Sequence, residues 1–279
     1  MFEIIAEKIN GTRRTVGAAI LARDTVLIAD LATRQAAAGA TWIDVNAGTS
    51  PDREPDDLAW LVEIVQGAVE VPLSIDTANP RALEAALARV ARTPLVNSIS
   101  GERSRLEGVL PLAAAAGSPV VALALDDHGI PTGADDRLAV IRRLVEATRG
   151  AGIPDERVYL DPLVMTLSTN TESALIALDV MRTIRAEFPA AHMTSGLSNV
   201  SFGLPVRSLV NRTYLTLAIS AGLDSAILDP LDRDLRAALL ATQLVLGQDR
   251  RCLGYTRAYR AGLLGVAPVV TPVAAPNPA

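Results

Sequence analysis

"PLSIDTANPRALEAALARVAR", residues 72–92, carries one complete structural unit. A short apolar, β-branched run from Pro72 to Thr77 contains an acid, Asp76, near its end. Asn79 and Pro80 follow: an N-cap side chain, then a ring whose fixed φ suits the first helical position. From Pro80 to Arg92 apolar residues recur at helical spacing. The unit reads strand, turn, helix. A strand that is apolar throughout is buried on both faces, so it implies a parallel sheet covered by helices.

Working outward, the unit recurs. Strand-like runs are "FEIIAEKI" (2–9), "WIDVNAG" (42–48), "PLSIDT" (72–77), "PLVNSIS" (94–100), "PVVALAL" (119–125), "VYLDPLV" (158–164), "HMTSGLS" (192–198) and "SAILDP" (225–230). Between them lie helical patterns such as 57–69, 80–92 and 136–152, with Asp136 a second candidate cap and Gly39 and Gly152 at helix stops. Eight strand–helix units, roughly 25–35 residues apart, predict an α/β fold: a single-domain TIM (β/α)8 barrel over residues 1–250. The rival doubly wound sheet expects a glycine-rich first turn, and "INGTRR" is not GxGxxG. Residues 251–265 read as a C-terminal extension and the Pro/Ala-rich 266–279 as a mobile tail.

Composition narrows the class. The chain of 279 residues is 49% hydrophobic but only 3% aromatic, so its core rests on Ala, Leu, Val and Ile. Lys and Arg number 26 against 31 Asp and Glu, with no basic block, which argues against nucleic acid. A lone Cys252 excludes an internal disulfide. Without CxxC, HExxH or a His/Cys cluster, no protein-bound metal is expected. The N-terminus is not a signal peptide, and no apolar run reaches the roughly 20 residues that span a membrane. The expectation is a soluble cytoplasmic protein with no membrane partner.

Nearly every strand ends in a polar group: Glu7 and Asn10, Asp44 and Asn46, Asp76, Asn97, Asp126 and Asp127, Asp161, Ser198 and Asn199, Asp229. Any one of them can be a helix cap or turn initiator. In a barrel, however, strand ends converge on one mouth. The set is rich in acceptors and poor in cations, since Arg103, Arg105 and Arg207 fall in loops. A phosphate is disfavoured. A carboxylate accepts two parallel hydrogen bonds from an amidine-like edge, such as the N3–H and 2-amino group of a pterin, and Asn serves a ring carbonyl and a ring N–H together. A Mg²⁺ site built from the same carboxylates is the competing reading. His128 lies in the loop after the fifth strand, exposed or facing the mouth. His192 begins a strand away from the mouth, Cys252 follows the last helix, and Trp42 and Trp60 are packing residues.

"EKINGT", "DVNAG", "SIDT", "VNSISGE", "YLDPLV", "GLSNVS" and "NRTYL" occur in that order. Together they resemble the methyltetrahydrofolate:corrinoid/iron-sulfur protein methyltransferases, and are similar to the folate-binding module of cobalamin-dependent methionine synthase, over residues 1–250. The resemblance implies a barrel that binds 5-methyltetrahydrofolate, or tetrahydrofolate, and moves methyl between its N5 and the cobalt of a corrinoid (cobalamin) held by a separate corrinoid protein, in either direction. It also implies a homodimer. It places Asp76, Asn97 and Asp161 on the pterin and Asn199 beside N5 as the catalytic group. Glu7, Asn10, Asp44, Asn46, Ser198 and Asp229 complete the expected pocket. "FGLPVR" at 202–207 departs from the polar stretch of the corrinoid/iron-sulfur partner enzymes, which bears on the partner. Two alternatives stay open: a dihydropteroate synthase-like enzyme, for which Arg53 and Arg233 are the available cations, and a non-catalytic folate-binding subunit.

Overall fold

The computed structural model describes residues 2–265; the expected tail at 266–279 lies outside them. Among the described residues, eight parallel strands form one sheet: β1 (Glu3–Asn10), β2 (Trp42–Asn46), β3 (Leu73–Asp76), β4 (Leu95–Gly101), β5 (Val120–Asp126), β6 (Val158–Asp161), β7 (His192–Met193) and β8 (Ser225–Leu228). Each pairs with its neighbour in sequence up to β7, and β1 pairs with β8. The last seam closes just beyond β7, where Gly196 bridges Ile227 and Ile227 N donates to Ser195 O at 3.0 Å. The result is the expected TIM (β/α)8 barrel.

Helices cover the outside: α1 (Arg14–Ala22), α2 (Thr25–Ala37), α3 (Glu54–Ala68), α4 (Pro80–Leu87), α5 (Arg103–Gly108), α6 (Leu110–Ala115), α7 (Ala134–Gly150), α8 (Ser173–Glu187), α9 (Arg207–Ser220), α10 (Arg233–Val245) and α11 (Leu253–Arg260). On α3, Leu58, Leu61, Val62 and Val65 follow helical spacing and are fully buried. Each such side chain contributes about 1.5–3 kcal/mol. Asn79 caps α4 as expected, its Oδ1 accepting from Arg81 N at 3.1 Å. Gly39 and Gly152 take positive φ just past α2 and α7. Asp136 is not a cap. Gly133 holds the cap position of α7, and Asp135 and Asp136 lie in its first turn, where their charge suits the positive end of the helix. Nor does Cys252 follow the last helix; it immediately precedes α11.

The inward-facing residues of the strands form layers. At the N-terminal end of the barrel Tyr159 and Trp42 donate to Glu3. Above Glu3, Ile5, Leu95, Val121 and the ring of Tyr159 form a separate apolar cluster, flanked by Trp42, Leu123 and Ile227. Two residues further along, the same strand faces carry Glu7, Asp44, Asp76, Asn97 and Asp161. Side chains alternate across a strand, so one parity runs from plug to core to mouth.

The seventh strand is shorter than the run 192–198 predicts. Only His192–Met193 pair as a strand, and Leu197–Ser201 form a 3₁₀ turn. Two contacts divert the chain: Gly196 N points to Asp161 Oδ2, at 3.3 Å, and Asn199 N turns back to Gly196 O, at 3.2 Å. Ser198 and Asn199 therefore sit on a turn over the opening rather than at a strand end.

Candidate active site

The glycines of the first two motifs bring the β1 and β2 loops together. A Cβ on Gly11 would stand 1.8 Å from Ala47 O, and one on Gly48 2.6 Å from the Gly11 carbonyl carbon. Gly11 N donates to Asn46 O at 2.8 Å, so the ends of "EKINGT" and "DVNAG" are one packed unit.

Beneath this unit lies a buried polar net. Ser74 Oγ donates to Asp44 Oδ1 at 2.7 Å, and Asn97 Nδ2 donates to the same oxygen at 3.2 Å. Burial, and then the nearby Asp76 charge, push the Asp44 carboxyl well above the usual range. Burial lifts Asp76 to about 6, although the Asn46 side chain and the Arg105 guanidinium pull it back. Burial also raises Glu7, against its 2.8 Å ion pair with Arg13. Asn97 is thus oriented by an acid that favours its neutral form, while Asp76 is an ionised acceptor at neutral pH.

Across the mouth, Asp161 is 2% exposed. Its oxygens accept from Leu163 N at 2.8 Å and Gly196 N at 3.3 Å. Burial still raises it to about 6, against those two N–H groups and the charge of Arg137. A carboxylate oxygen has more than one lone-pair direction, so both retain capacity for a ligand.

Asn199 stands on the turn that Asp161 anchors. Its side chain is exposed and makes no hydrogen bond within the described residues. Gly196 leaves room for it: a Cβ there would meet Asn199 Nδ2 at 2.8 Å. The amide is free to serve a ligand atom.

Not every expected residue is available in this way. Asn10 Oδ1 is used by Thr12 N and Oγ1, at 3.0 and 2.6 Å. Asp229 pairs with Lys8 at 2.7 Å and accepts from Leu231 N at 3.0 Å. Ser198 contributes its carbonyl, which accepts from Arg207 Nη2 at 2.8 Å. Asp126 and Asp127 turn away. Asp126 pairs with Arg143 of α7 at 2.6 Å, and Asp127 accepts from Arg103 N at 3.3 Å. His128 is exposed and caps nothing but its own turn, its N–H on Asp126 at 3.0 Å.

Two cations treated as loop residues are placed otherwise. Arg105 lies on α5 and donates to Thr77 O and Ser98 O, both at 3.3 Å, bridging the ends of β3 and β4. Arg207 opens α9 and holds Ser198 O and Ser201 Oγ, which braces the Asn199 turn. A cation's reach of several ångströms is invisible in loop-versus-strand bookkeeping. Arg53 and Arg233, the cations a diphosphate would need, are engaged by Asp57 at 3.5 Å and by Gly262 O at 2.7 Å. Among the described residues no group of three or more His, Cys, Asp or Glu side chains is arranged to hold a metal ion.

A barrel whose mouth is lined by desolvated acids and amides is a site for a flat, hydrogen-bonding heterocycle. Residues 9–229 match the model of the pterin binding enzymes, and the chain belongs to that family. It is 42% identical to the methylcorrinoid:tetrahydrofolate methyltransferase of Eubacterium limosum, over 94% of this chain and 97% of that protein. It is 29% identical to the methionine synthase of Mycobacterium leprae over 85% of this chain, which spans 21% of that longer protein. Among solved structures, dihydropteroate synthase from Xanthomonas albilineans in complex with 7,8-dihydropteroate superposes with a TM-score of 0.64 at 21% identity, covering 88% of this chain and 92% of that one; this is a likeness of fold.

Proposed function

We propose that the protein is a methyltransferase that moves a methyl group between the cobalt of a corrinoid and N5 of tetrahydrofolate, the corrinoid being brought by a separate protein. The observation that carries this is the pairing, at one opening, of desolvated carboxylates with a free amide. Burial raises Asp76 and Asp161 to about 6 despite the protein partners each has, which leaves acceptor capacity for a pterin's N–H edge. Asn97, held by Asp44, serves a ring carbonyl and a ring N–H. The relative that is 42% identical is a methylcorrinoid:tetrahydrofolate methyltransferase by name.

The corrinoid supplies a methyl on cobalt as substrate, and the protein's task is at nitrogen. As N5 takes the methyl, its lone pair forms the N–C bond, the cobalt–carbon pair stays on the metal, and N5 becomes cationic until its proton leaves. In the reverse direction N5 must carry that proton before the methyl departs. Asn199 meets both states without titrating: its carbonyl accepts from a protonated N5, and its N–H donates to a bare one. A dipole held where charge develops lowers the barrier without reorganisation. The grip of Asp76, Asn97 and Asp161 fixes the ring so that N5 lies in line.

The chain acts, on this reading, as a cytoplasmic homodimer. Support for the dimer comes from exposed apolar side chains on α9 and α10, including Leu209, Leu217 and Val245. Light scattering of the purified protein at micromolar concentration should give twice the 29.3 kDa chain mass, and a mass equal to one chain refutes the dimer. The reading of function is tested by mixing tetrahydrofolate with free methylcob(III)alamin, and 5-methyltetrahydrofolate with cob(I)alamin, under anaerobic conditions. Corrinoid absorbance reports transfer in each case. No protein-dependent change in either direction refutes it.

A further inference from the structure

Arg137 is the largest fully buried side chain of the described residues, at 1% exposure. It springs from the first turns of α7, in a sequence, "DDRLAVIRRL", whose other arginines are surface groups. Arg142 and Arg143 reach out to Glu187 and Asp126. Arg137 turns inward instead. Its Nε donates to Pro131 O at 2.9 Å, its Nη1 donates to Pro162 O at 3.0 Å, and the same Nη1 bonds Leu163 O. All three acceptors are main-chain carbonyls. A buried guanidinium remains charged, and one placed without a carboxylate against it is costly unless its field is used.

The field reaches one acid. Leu163 holds a positive φ of 57° although it is not glycine, and this turn aims its N–H at Asp161 Oδ1. Two of the three carbonyls that Arg137 grips, those of Pro162 and Leu163, belong to that same turn. Among the described residues, the ionisable groups whose charge bears on Asp161 are Arg137 from α7 and Tyr214 from α9, whose phenol burial keeps neutral.

We infer that Arg137 is a positioning residue for pterin binding: from behind the β6 turn, its fork fixes the aim of the Asp161 carboxylate and its charge keeps that carboxylate ionised. This deepens the proposed function and rests on it. The two roles separate by chemistry. A charge without a fork retains ionisation but loosens the turn, whereas an apolar side chain loses both. With the cation gone, only the N–H groups of Leu163 and Gly196 oppose burial at Asp161. The acid then stays protonated to higher pH and cannot accept two parallel hydrogen bonds from the pterin.

The test is anaerobic calorimetric titration of tetrahydrofolate into wild type, R137M and R137K from pH 5.5 to 9, with circular dichroism as the check on folding. Wild-type affinity falls as the pH drops toward 6, where Asp76 and Asp161 take up protons. In R137M the fall begins about one pH unit higher, so at pH 7 the protonation loss alone weakens binding roughly twofold, at pH 6 roughly fivefold, and the ratio to wild type narrows by pH 9. R137K keeps the wild-type midpoint and loses several-fold affinity at every pH. An R137M curve parallel to or coincident with wild type overturns the inference, because a merely structural arginine moves no midpoint. So does an R137K curve whose midpoint moves upward, or one identical to wild type. If R137M fails to fold, R137K decides on those terms. A wild type that binds no tetrahydrofolate at any pH overturns the pterin reading, and this inference with it. A binding wild type with unshifted variants overturns the inference alone.

Discussion

At the N-terminal end of the barrel, Glu3 accepts from Tyr159 Oη and Trp42 Nε1, each at 2.8 Å. Nearby, Asp224 accepts from Met193 N at 2.7 Å, Arg185 at 3.0 Å and His192 Nδ1 at 3.2 Å, and His192 stacks on Tyr159 with ring centres 4.7 Å apart. Burial pushes Asp224 up, but His192 and Met193 N–H hold it below the usual carboxylate range. At the opposite end, Asp76 and Asp161 are pushed up to about 6 by burial that their protein partners do not offset. Both ends carry sheltered acids on the same strand faces. One end satisfies them and closes the barrel; the other leaves acceptor capacity open. The contrast separates a plug from a binding site more sharply than residue type does.

The largest test of that contrast is Asn199→Ala. The side chain is exposed and makes no hydrogen bond among the described residues, so stability should be unchanged. Loss of one group aimed at developing charge costs about 2.7–4 kcal/mol, or 10²–10³ in the rate of methyl transfer at saturating folate. Single-turnover absorbance measures the rate, and titration measures affinity. Equal loss in both would make Asn199 a binding group. Asp161→Ala reverses the pattern. It removes charge-assisted hydrogen bonds worth about 1.5–3 kcal/mol each, so folate affinity drops roughly 10²-fold or more, whereas Glu3→Gln at the plug leaves affinity alone.

Stability gives the next test: an acid at the mouth costs stability once it ionises, whereas a histidine at the plug adds stability while it is charged. Asp161 has its folded value raised from 3.8 to about 6, so the apo protein loses stability as the pH rises through that window. Asp161→Asn removes the buried charge but also weakens one hydrogen bond. At pH 7 the net gain is on the order of 2 kcal/mol, seen as a higher melting temperature alongside lost binding. The plug behaves differently. The hydrogen bond to Asp224 raises His192 from 6.5 against the cost of burial. Its contribution is therefore fully present below the unfolded value of 6.5 and fades as the pH rises through the higher folded value. Thermal melts should show this loss above pH 6.5 in wild type and not in His192→Phe. A slope in the variant equal to that of wild type refutes the assignment.

Much of this was legible because strand faces alternate. The run 72–92 showed its strand, cap and helix, and the polar strand ends announced the mouth. What was not legible follows from side chains that reach across elements. Asp126 has the same residue type and strand-end position as Asp161. Yet Val121 and Leu123 face inward, so Asp126 has the wrong parity and meets α7. A parity count would have removed it. No local pattern could reveal that Asp161 captures Gly196 N and so shortens β7, nor that Arg137, among the arginines of α7, is the one turned inward. Those depend on pairs distant in sequence.

The smallest test lies in the plug. Trp42→Phe keeps an aromatic ring beside the inner cluster of Ile5, Leu95 and Val121 but deletes the Nε1–H that serves Glu3. Tyr159 still donates to Glu3 Oε2, so the acid is not stranded. The loss is then one neutral donor to a charged acceptor, about 1–2 kcal/mol, with a small term for the vacated indole volume. For a chain of this size 1 kcal/mol shifts the melting temperature by about 2–4 °C. Asp44, which holds Asn97, is the next inward-facing residue of β2, but the deleted Nε1–H points the other way, to Glu3, so tetrahydrofolate affinity should stay within about twofold. A variant that melts like wild type would show Glu3 needs only Tyr159. A variant that loses folate binding would show the two ends are coupled, and the division between plug and mouth would fail.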